Sequence, residues 1–529
     1  MIIRTTLFVT LVLVTTGQGF AADRAPREIV RGAATADDIL AAQRSLRAWL
    51  ESERPSGSPG APVRVELTPA ERAGLADRAP GAGGAPLKIG VVRTLSPGVS
   101  VSGLERAHVS RSRSLVWTTS IVAADAAGIR VHLTNLDLPP GAELYFFGGA
   151  DEAYGPFEGR GPHGDGDFWT PSVQGTEAAL LVRHVGPATA ADRRRIAFTV
   201  AEVGYLASGG PAPVEQAGTS FCGNPACIVD ASCASDAAVT DAMSAVAQLE
   251  WVSGAFLYTC TGGLLADTDA ATQIPYLLTA NHCLSRSKDA QNLEAFFFYR
   301  TAACGGSCPS NSTFLKTLGA TIKATGSAGD FTLLQLSQTP PSGTVMLGWN
   351  ANPIAFTNGA DLYRISHPNF GPQTFAHHRV DTSTVTCTSW PRGQRIYSRD
   401  VLGATDGGSS GSPVVNAAGD VVGQLSGGCG FNVGDVCDAA SNATVDGALA
   451  YYFSSVAAYL DPTPCTPASE VCTDGVDNDC DGAVDCADSN CATSPACTST
   501  CTALGGACTS NGQCCSGSCK GKPGRKTCK

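Results

Sequence analysis

A histidine, an aspartate and a serine are the residues of this chain best set for covalent chemistry. His282 closes the apolar run LLTANHC (277–283), Asp330 heads DFTLLQL (330–336), and Ser410 lies within GGSSGSPVV (407–415). A serine hydroxyl attacks a carbonyl when a nearby base takes its proton, an acid orients that base, and N–H donors await the oxyanion. Gly407, Gly408 and Gly411 let the backbone turn sharply around Ser410, exposing its hydroxyl and aiming the N–H groups of Gly408 and Ser410 at one point. Cys260, in YTCTGGLL, and Cys283, next to His282, form a candidate disulfide that would pin the histidine loop. Closing such a loop is worth about 3 kcal/mol. Taken singly, an aspartate at a strand start is ordinary turn chemistry; here it falls between the other two candidates.

These residues need a scaffold, and composition indicates its kind. At 529 residues the chain exceeds a single core and should divide into domains. Charged residues make up only 16%, whereas there are 60 Gly and 31 Pro, a balance that favours turn-rich β structure. A net charge of −11 argues against a nucleic-acid partner. Arg4, the apolar run Leu7–Val14 and Gly19-Phe20-Ala21 read as a secretory signal peptide over residues 1–21. No later stretch reaches the apolar length of a membrane span. Export makes the 22 cysteines intelligible as disulfides, and they are unevenly placed: none in 1–221, ten in 222–437, twelve in 465–529.

The expected fold is therefore all-β and multidomain. Residues 22–215 form a β-sandwich-like pro-domain or accessory domain. Its strands are Leu87–Val92, Leu115–Val122, Gly128–Leu133, Glu143–Phe147, Ala178–Val182 and Ile196–Val200, and a helix over 36–51 precedes them. A Pro/Gly-rich linker at 208–219 leads to residues 216–462, which carry the motifs on short strands, with a short helix at 456–460. Residues 463–498 and 499–529 are small disulfide-rich modules.

The order His282, Asp330, Ser410, within TANHC, DFTLL and GSSGSP, resembles the triad of chymotrypsin-fold serine proteases. The chain is most similar to secreted bacterial lysyl endopeptidases, a likeness that extends to CIVDASC (227–233), CTGGLL (260–265) and GQLSGG (423–428). The resemblance implies a double antiparallel β-barrel with the triad between the barrels. His282 would be the base and then the acid, Asp330 its orienting partner and Ser410 the nucleophile, with no cofactor for catalysis. Substrates would be proteins or peptides, and the enzyme a secreted monomer made as a precursor. It also implies disulfides from Cys227 to Cys429 or Cys437, and from Cys233 to Cys304 or Cys308. Two positions depart from the pattern. Ser409 stands where many relatives carry the aspartate that pairs with a freed N-terminus. Ala404 and Thr444 occupy the positions where the pocket acid for a basic substrate residue is found, so the specificity is left open, with Asp435, Asp438 and Asp446 nearby. Nor does any Lys or Arg lie between Arg195 and Cys222, although Arg193-Arg194-Arg195 stand upstream of the linker.

In the first tail module, Asp477, Asp479, Asp481, Asp485 and Asp488 follow the ligand spacing of a Ca²⁺ loop, with Gly482 at its turn. The equal alternative is an acidic disulfide loop that binds nothing. Cys501, Cys508, Cys514, Cys515, Cys519 and Cys528 resemble an inhibitor cystine knot of unknown ligand. His367, His377 and His378 are expected to be core or loop histidines rather than ligands. A rival to the protease reading is a catalytically idle surface-binding protein that uses a protease scaffold and a knottin-like tail.

Overall fold

The computed structural model describes residues 24–462 outside 55–61, 77–84, 103–106, 111, 149–150, 187–188, 208–220, 270, 310–314, 384–386, 388 and 431. Beyond Pro462 it describes 469–473, 489–491, 494, 519–522 and 525–528. The signal-peptide residues, the 208–219 linker, the five aspartates of the Ca²⁺-loop reading and Cys501, Cys508, Cys514 and Cys515 lie outside the described residues.

Alternating apolar side chains fold the N-terminal region into two facing sheets. One is built from Leu115–Ala123, Glu177–His184, Ala142–Gly148 and Ala153–Phe157, with Val63–Val65 parallel to its edge. The other takes Leu87–Ser102, Ala197–Leu206, Gly128–Asp137 and Phe168–Trp169. Ile121, Leu144, Phe146, Leu180 and Val182 of the first pack on Ile129, Val131, Leu133, Phe198 and Val200 of the second. A sandwich buries one face of each sheet in this way. The helix Ala36–Glu53 starts where the Thr35 side chain accepts from the Asp38 N–H, and Leu50 seats it on Val116, Tyr145 and Phe147.

The expected pair of antiparallel barrels is present as one closed barrel and one half-barrel. Asp361–Ser366, Thr374–Val380, Arg395–Leu402, Asn442–Ala448, Val421–Gly430 and Pro413–Asn416 pair in turn, and the last returns to the first. In the half-barrel, Val246–Ser253, Phe256–Leu265, Tyr276–Thr279, Phe331–Leu336 and Ala320–Gly326 follow one another. It does not stand alone. The N-terminal Leu87–Ser102 strand pairs with Phe256–Leu265, placing Leu87 opposite Thr259 and Val91 opposite Phe256 and merging the two sheets.

A second tie lies just before the first helix. Arg24–Ala25 pairs with Trp349–Asn350, and Glu28–Ile29 with Val345–Met346. A third is a buried ionic cluster. Glu294 of the half-barrel lies 3.5 Å from Arg130 of the sandwich and 2.8 Å from Lys316, and it accepts from the Ser172 N–H. Lys316 also donates to the Ser172 carbonyl at 2.6 Å and stands 3.6 Å from Glu152. Burial pushes the neighbouring Glu250 carboxyl up to about 8, with Glu294 adding repulsion, so near neutral pH it is largely protonated. Two cations then face two carboxylates in this interior.

The terminal helix runs Leu449–Leu460, longer than its expected last turn, and buries Leu449, Tyr452, Val456 and Leu460 along one stripe. In the tail, Cys472 bonds Cys491, and Cys519–Lys522 forms a hairpin with Arg525–Cys528. No helix among the described residues is long and apolar enough to cross a membrane.

Candidate active site

The histidine is positioned from two sides. Tyr276–Thr279 ends in a tight turn, where the Cys283 and Leu284 N–H groups both donate to the Ala280 carbonyl. The Cys260–Cys283 disulfide then ties this turn to the neighbouring strand, as the sequence suggested. The His282 Nδ1–H donates to Asp330 Oδ2 at 2.8 Å, and the His282 backbone N–H donates to Asp330 Oδ1 at 2.9 Å. One carboxylate thus fixes both the ring and the main chain that bears it, leaving Nε2 as the ring's basic edge. His282, Cys260 and Cys283 also form a tight His/Cys group. Both sulfurs are spent in the disulfide, so the group offers no thiolate to a metal.

Asp330 adopts φ +56°, a left-handed conformation that a non-glycine residue holds only when its surroundings enforce it. The enforcing residue was not apparent in the sequence. Gln424, inside GQLSGG, sends its amide to the Asp330 carbonyl at 2.7 Å and to the Gly329 carbonyl at 3.0 Å. The Tyr452 hydroxyl donates to Gln424 Oε1 at 2.5 Å and fixes which way that amide faces. The terminal helix therefore reaches Asp330 through one glutamine.

Ser410 sits on the loop between the Arg395–Leu402 and Pro413–Asn416 strands. Its carbonyl accepts from the Thr261 N–H at 2.8 Å, and the next residue, Gly411, packs so tightly that a Cβ there would lie 2.2 Å from Thr279 Oγ1. The serine loop is thereby pressed against the strand end that leads to His282. No hydrogen bond joins the Ser410 hydroxyl to the imidazole, a contact that commonly tightens when substrate binds. Gly408 holds φ +97°, and a Cβ on it would come within 2.7 Å of the His367 carbonyl. Among the described residues, the N–H groups of Gly408 and Ser410 have no protein acceptor, which is the state an oxyanion needs. Ser409 is fully buried, and its hydroxyl accepts from the Asp406 N–H at 3.3 Å. The loop is thus braced from within rather than by an ion pair at this position.

Of the other histidines, His367 is buried, stacks on Tyr299 and donates from Nδ1 to the Gly371 carbonyl at 3.0 Å. Burial holds its imidazole down at about 4. His377 bonds Asp361 at 2.8 Å, and His378 lies wholly inside the closed barrel. The two disulfides left open resolve as Cys227–Cys437 and Cys233–Cys304, and Cys222–Cys308 and Cys387–Cys429 use the remainder of this region's cysteines.

Residues 223–444 match the family described as "Lysyl endopeptidase, C-terminal domain", and residues 64–206 match "Lysyl endopeptidase N-terminal domain". A lysyl endopeptidase of Pseudomonas aeruginosa strain PAO1 is 30% identical over 358 residues, spanning 65% of this chain and 75% of the relative. Among solved structures, the active form of the Rv3671c protease from M. tuberculosis is 16% identical, covers 47% of this chain and 96% of its own, and superposes with a TM-score of 0.30. The HtrA-type protease AlgW with tripeptide is 17% identical over 42% of this chain and 62% of its own, at a TM-score of 0.30. With both regions matched and a relative aligned over three quarters of its length, the chain belongs to the lysyl endopeptidase family and is a serine endopeptidase.

Proposed function

We propose that the protein is a secreted endopeptidase that cleaves peptide bonds through His282, Asp330 and Ser410, and that it is made as a precursor. The observation that carries the catalytic reading is the double hydrogen bond from His282 to Asp330. His282 takes the Ser410 proton as the hydroxyl attacks the peptide carbonyl. The Gly408 and Ser410 N–H groups receive the oxyanion. The imidazolium, stabilised by Asp330, returns that proton to the leaving amine, and water resolves the acyl-enzyme by the same steps in reverse. Ser410→Ala should lower peptide hydrolysis by about 10⁴-fold or more; an equally active variant would refute the assignment.

The N-terminal region supports the precursor reading. Leu87 pairs with Thr259, two residues before the Thr261 N–H that holds Ser410, and a Leu87 methyl lies 3.6 Å from where a Gly408 Cβ would stand. An extended peptide adds to just such an exposed strand edge. Here the chain's own strand occupies it. The sandwich also keeps the buried Arg130–Glu294–Lys316 cluster and the shared apolar contacts of Leu87, Ile89 and Leu206 with Val252, Leu257 and Phe370. Cutting the 208–219 linker breaks none of these. A precursor cut only there, at an inserted site for a specific protease, should elute as one particle with little activity. Spontaneous separation into two pieces, or full activity while still associated, would contradict a silencing N-terminal domain.

A further inference from the structure

The positions expected to carry a pocket acid, Ala404 and Thr444, are uncharged, yet the pocket region is not without a carboxylate. The Val421–Gly430 strand leaves the nucleophile through two hydrogen bonds, Gly411 N–H to the Leu425 carbonyl and Leu425 N–H to the Ser412 carbonyl. It then presents Gly427 and Gly428. Neither glycine carries a side chain, and a Cβ at Gly428 would only touch the Ala443 carbonyl at 3.7 Å, so this strand stretch keeps a low profile beside the nucleophile loop. Thr444 lies opposite Gly428 on the next strand, and Ser398 lies opposite Thr444 on the one after. Alternation along a strand places Asp400 on the face of Ser398 and Thr444. The Thr444 hydroxyl donates to Asp400 Oδ1 at 3.2 Å.

The charges in this barrel interior do not cancel. Arg364 and Asp446, both fully buried, form a two-point pair with each other. Arg399 is committed to Asp381 and to the carbonyls of Ala440 and Asn442. His378 stands 3.3 Å from Asp400 without hydrogen-bond geometry. Its imidazole is held well down, by burial and then by Arg364 and His377, so it carries no charge near neutral pH. Among the described residues Asp400 accepts one side-chain hydrogen bond, from the Thr444 hydroxyl, and its side chain keeps 17% of its surface open where that of Asp446 keeps none. Burial raises its carboxyl against the pull of Arg364, the Thr444 hydroxyl and Arg399.

We propose that Asp400 is the specificity acid of this protease, reached across Thr444 by the cationic end of a lysine or arginine side chain N-terminal to the scissile bond. The proposal rests on the triad reading above. In it the carboxylate comes from the strand adjacent to Thr444, which keeps its orientation through the threonine hydroxyl.

The test uses full-length protein after maturation, with paired peptides that carry lysine or its uncharged isostere norleucine before the scissile bond. Wild type should prefer lysine, and Asp400→Asn should reduce the lysine-to-norleucine ratio of kcat/KM by about 10²–10³-fold, the scale for loss of one partner of a desolvated charge pair. Thr444→Val, which keeps the carboxylate but removes its holder, should reduce the ratio less. This second variant keeps the proposal testable if Asp400→Asn does not fold. Arginine peptides distinguish a site for any cation from one for an ammonium alone. Equal rates for lysine and norleucine in wild type, or an unchanged ratio in a folded Asp400→Asn, would overturn the role of Asp400 and leave the triad standing. Failure of matured wild type to hydrolyse any of the peptides would instead overturn the triad reading.

Discussion

Replacing Gln424 by methionine keeps length and approximate volume but removes both amide donors and the acceptor. The Asp330 carbonyl retains a partner, the Asn281 N–H at 3.1 Å. The Gly329 carbonyl and the Tyr452 hydroxyl lose the partners seen in the structure, and Gln424 and Tyr452 are buried. A buried polar group left unpaired costs about 1–3 kcal/mol, so with two such groups Gln424→Met should destabilise the protein by roughly 2–6 kcal/mol. The functional consequence is separate. Without the amide, the left-handed conformation of Asp330 relaxes, and the carboxylate that orients His282 shifts with it. Such a displacement costs about 10–100-fold in kcat, with KM nearly constant because Gln424 touches no substrate. Urea unfolding and steady-state kinetics on one peptide read both effects. A variant that loses the stability but keeps full kcat would show that Gln424 is packing alone. One that loses neither would refute the scaffold argument altogether.

Two further outcomes follow from the same geometry. Gly408→Ala forces a side chain against the His367 carbonyl at φ +97° and disturbs one oxyanion donor, so kcat should fall by about 10²–10³-fold, measured on the purified variant. His367 is held near 4 in the fold, below the ordinary histidine value of about 6.5, so the unfolded chain binds the extra proton between those limits. Its contribution is complete above pH 6.5 and is lost as pH falls toward 4, amounting to up to about 3 kcal/mol. Relative to wild type, His367→Phe should flatten unfolding free energy over that window; identical slopes would exclude the residue as a source.

His282, Asp330 and Ser410 could be singled out in the sequence because the chemistry proposed for them demands particular side chains beside particular backbone, and glycines around Ser410 or a cysteine beside His282 survive as local patterns. The sandwich strands were legible from alternation, although the strand expected to end at Val92 runs on to Ser102. What the sequence withheld depends on register. Gln424 matters because the strand pairing puts it beneath Asp330, and Asp400 because Ser398 happens to face Thr444. Neither relation is local. The half-barrel was hidden for a similar reason: its edge partner, Leu87–Ser102, comes from a region more than 150 residues earlier, beyond any periodicity within the barrel sequence. The terminal helix extends beyond the expected 456–460 because its first turns are held by contacts that one stretch of sequence does not reveal, with Tyr452 bonded to Gln424 and stacked on Phe331.

The catalytic claim meets its most direct test in covalent labelling. Matured protein treated with a fluorophosphonate, digested and analysed by mass spectrometry should carry one phosphonyl group, on Ser410, and His282→Ala should abolish it. Labelling at another serine, or undiminished labelling of Ser410 without the histidine, would contradict the account.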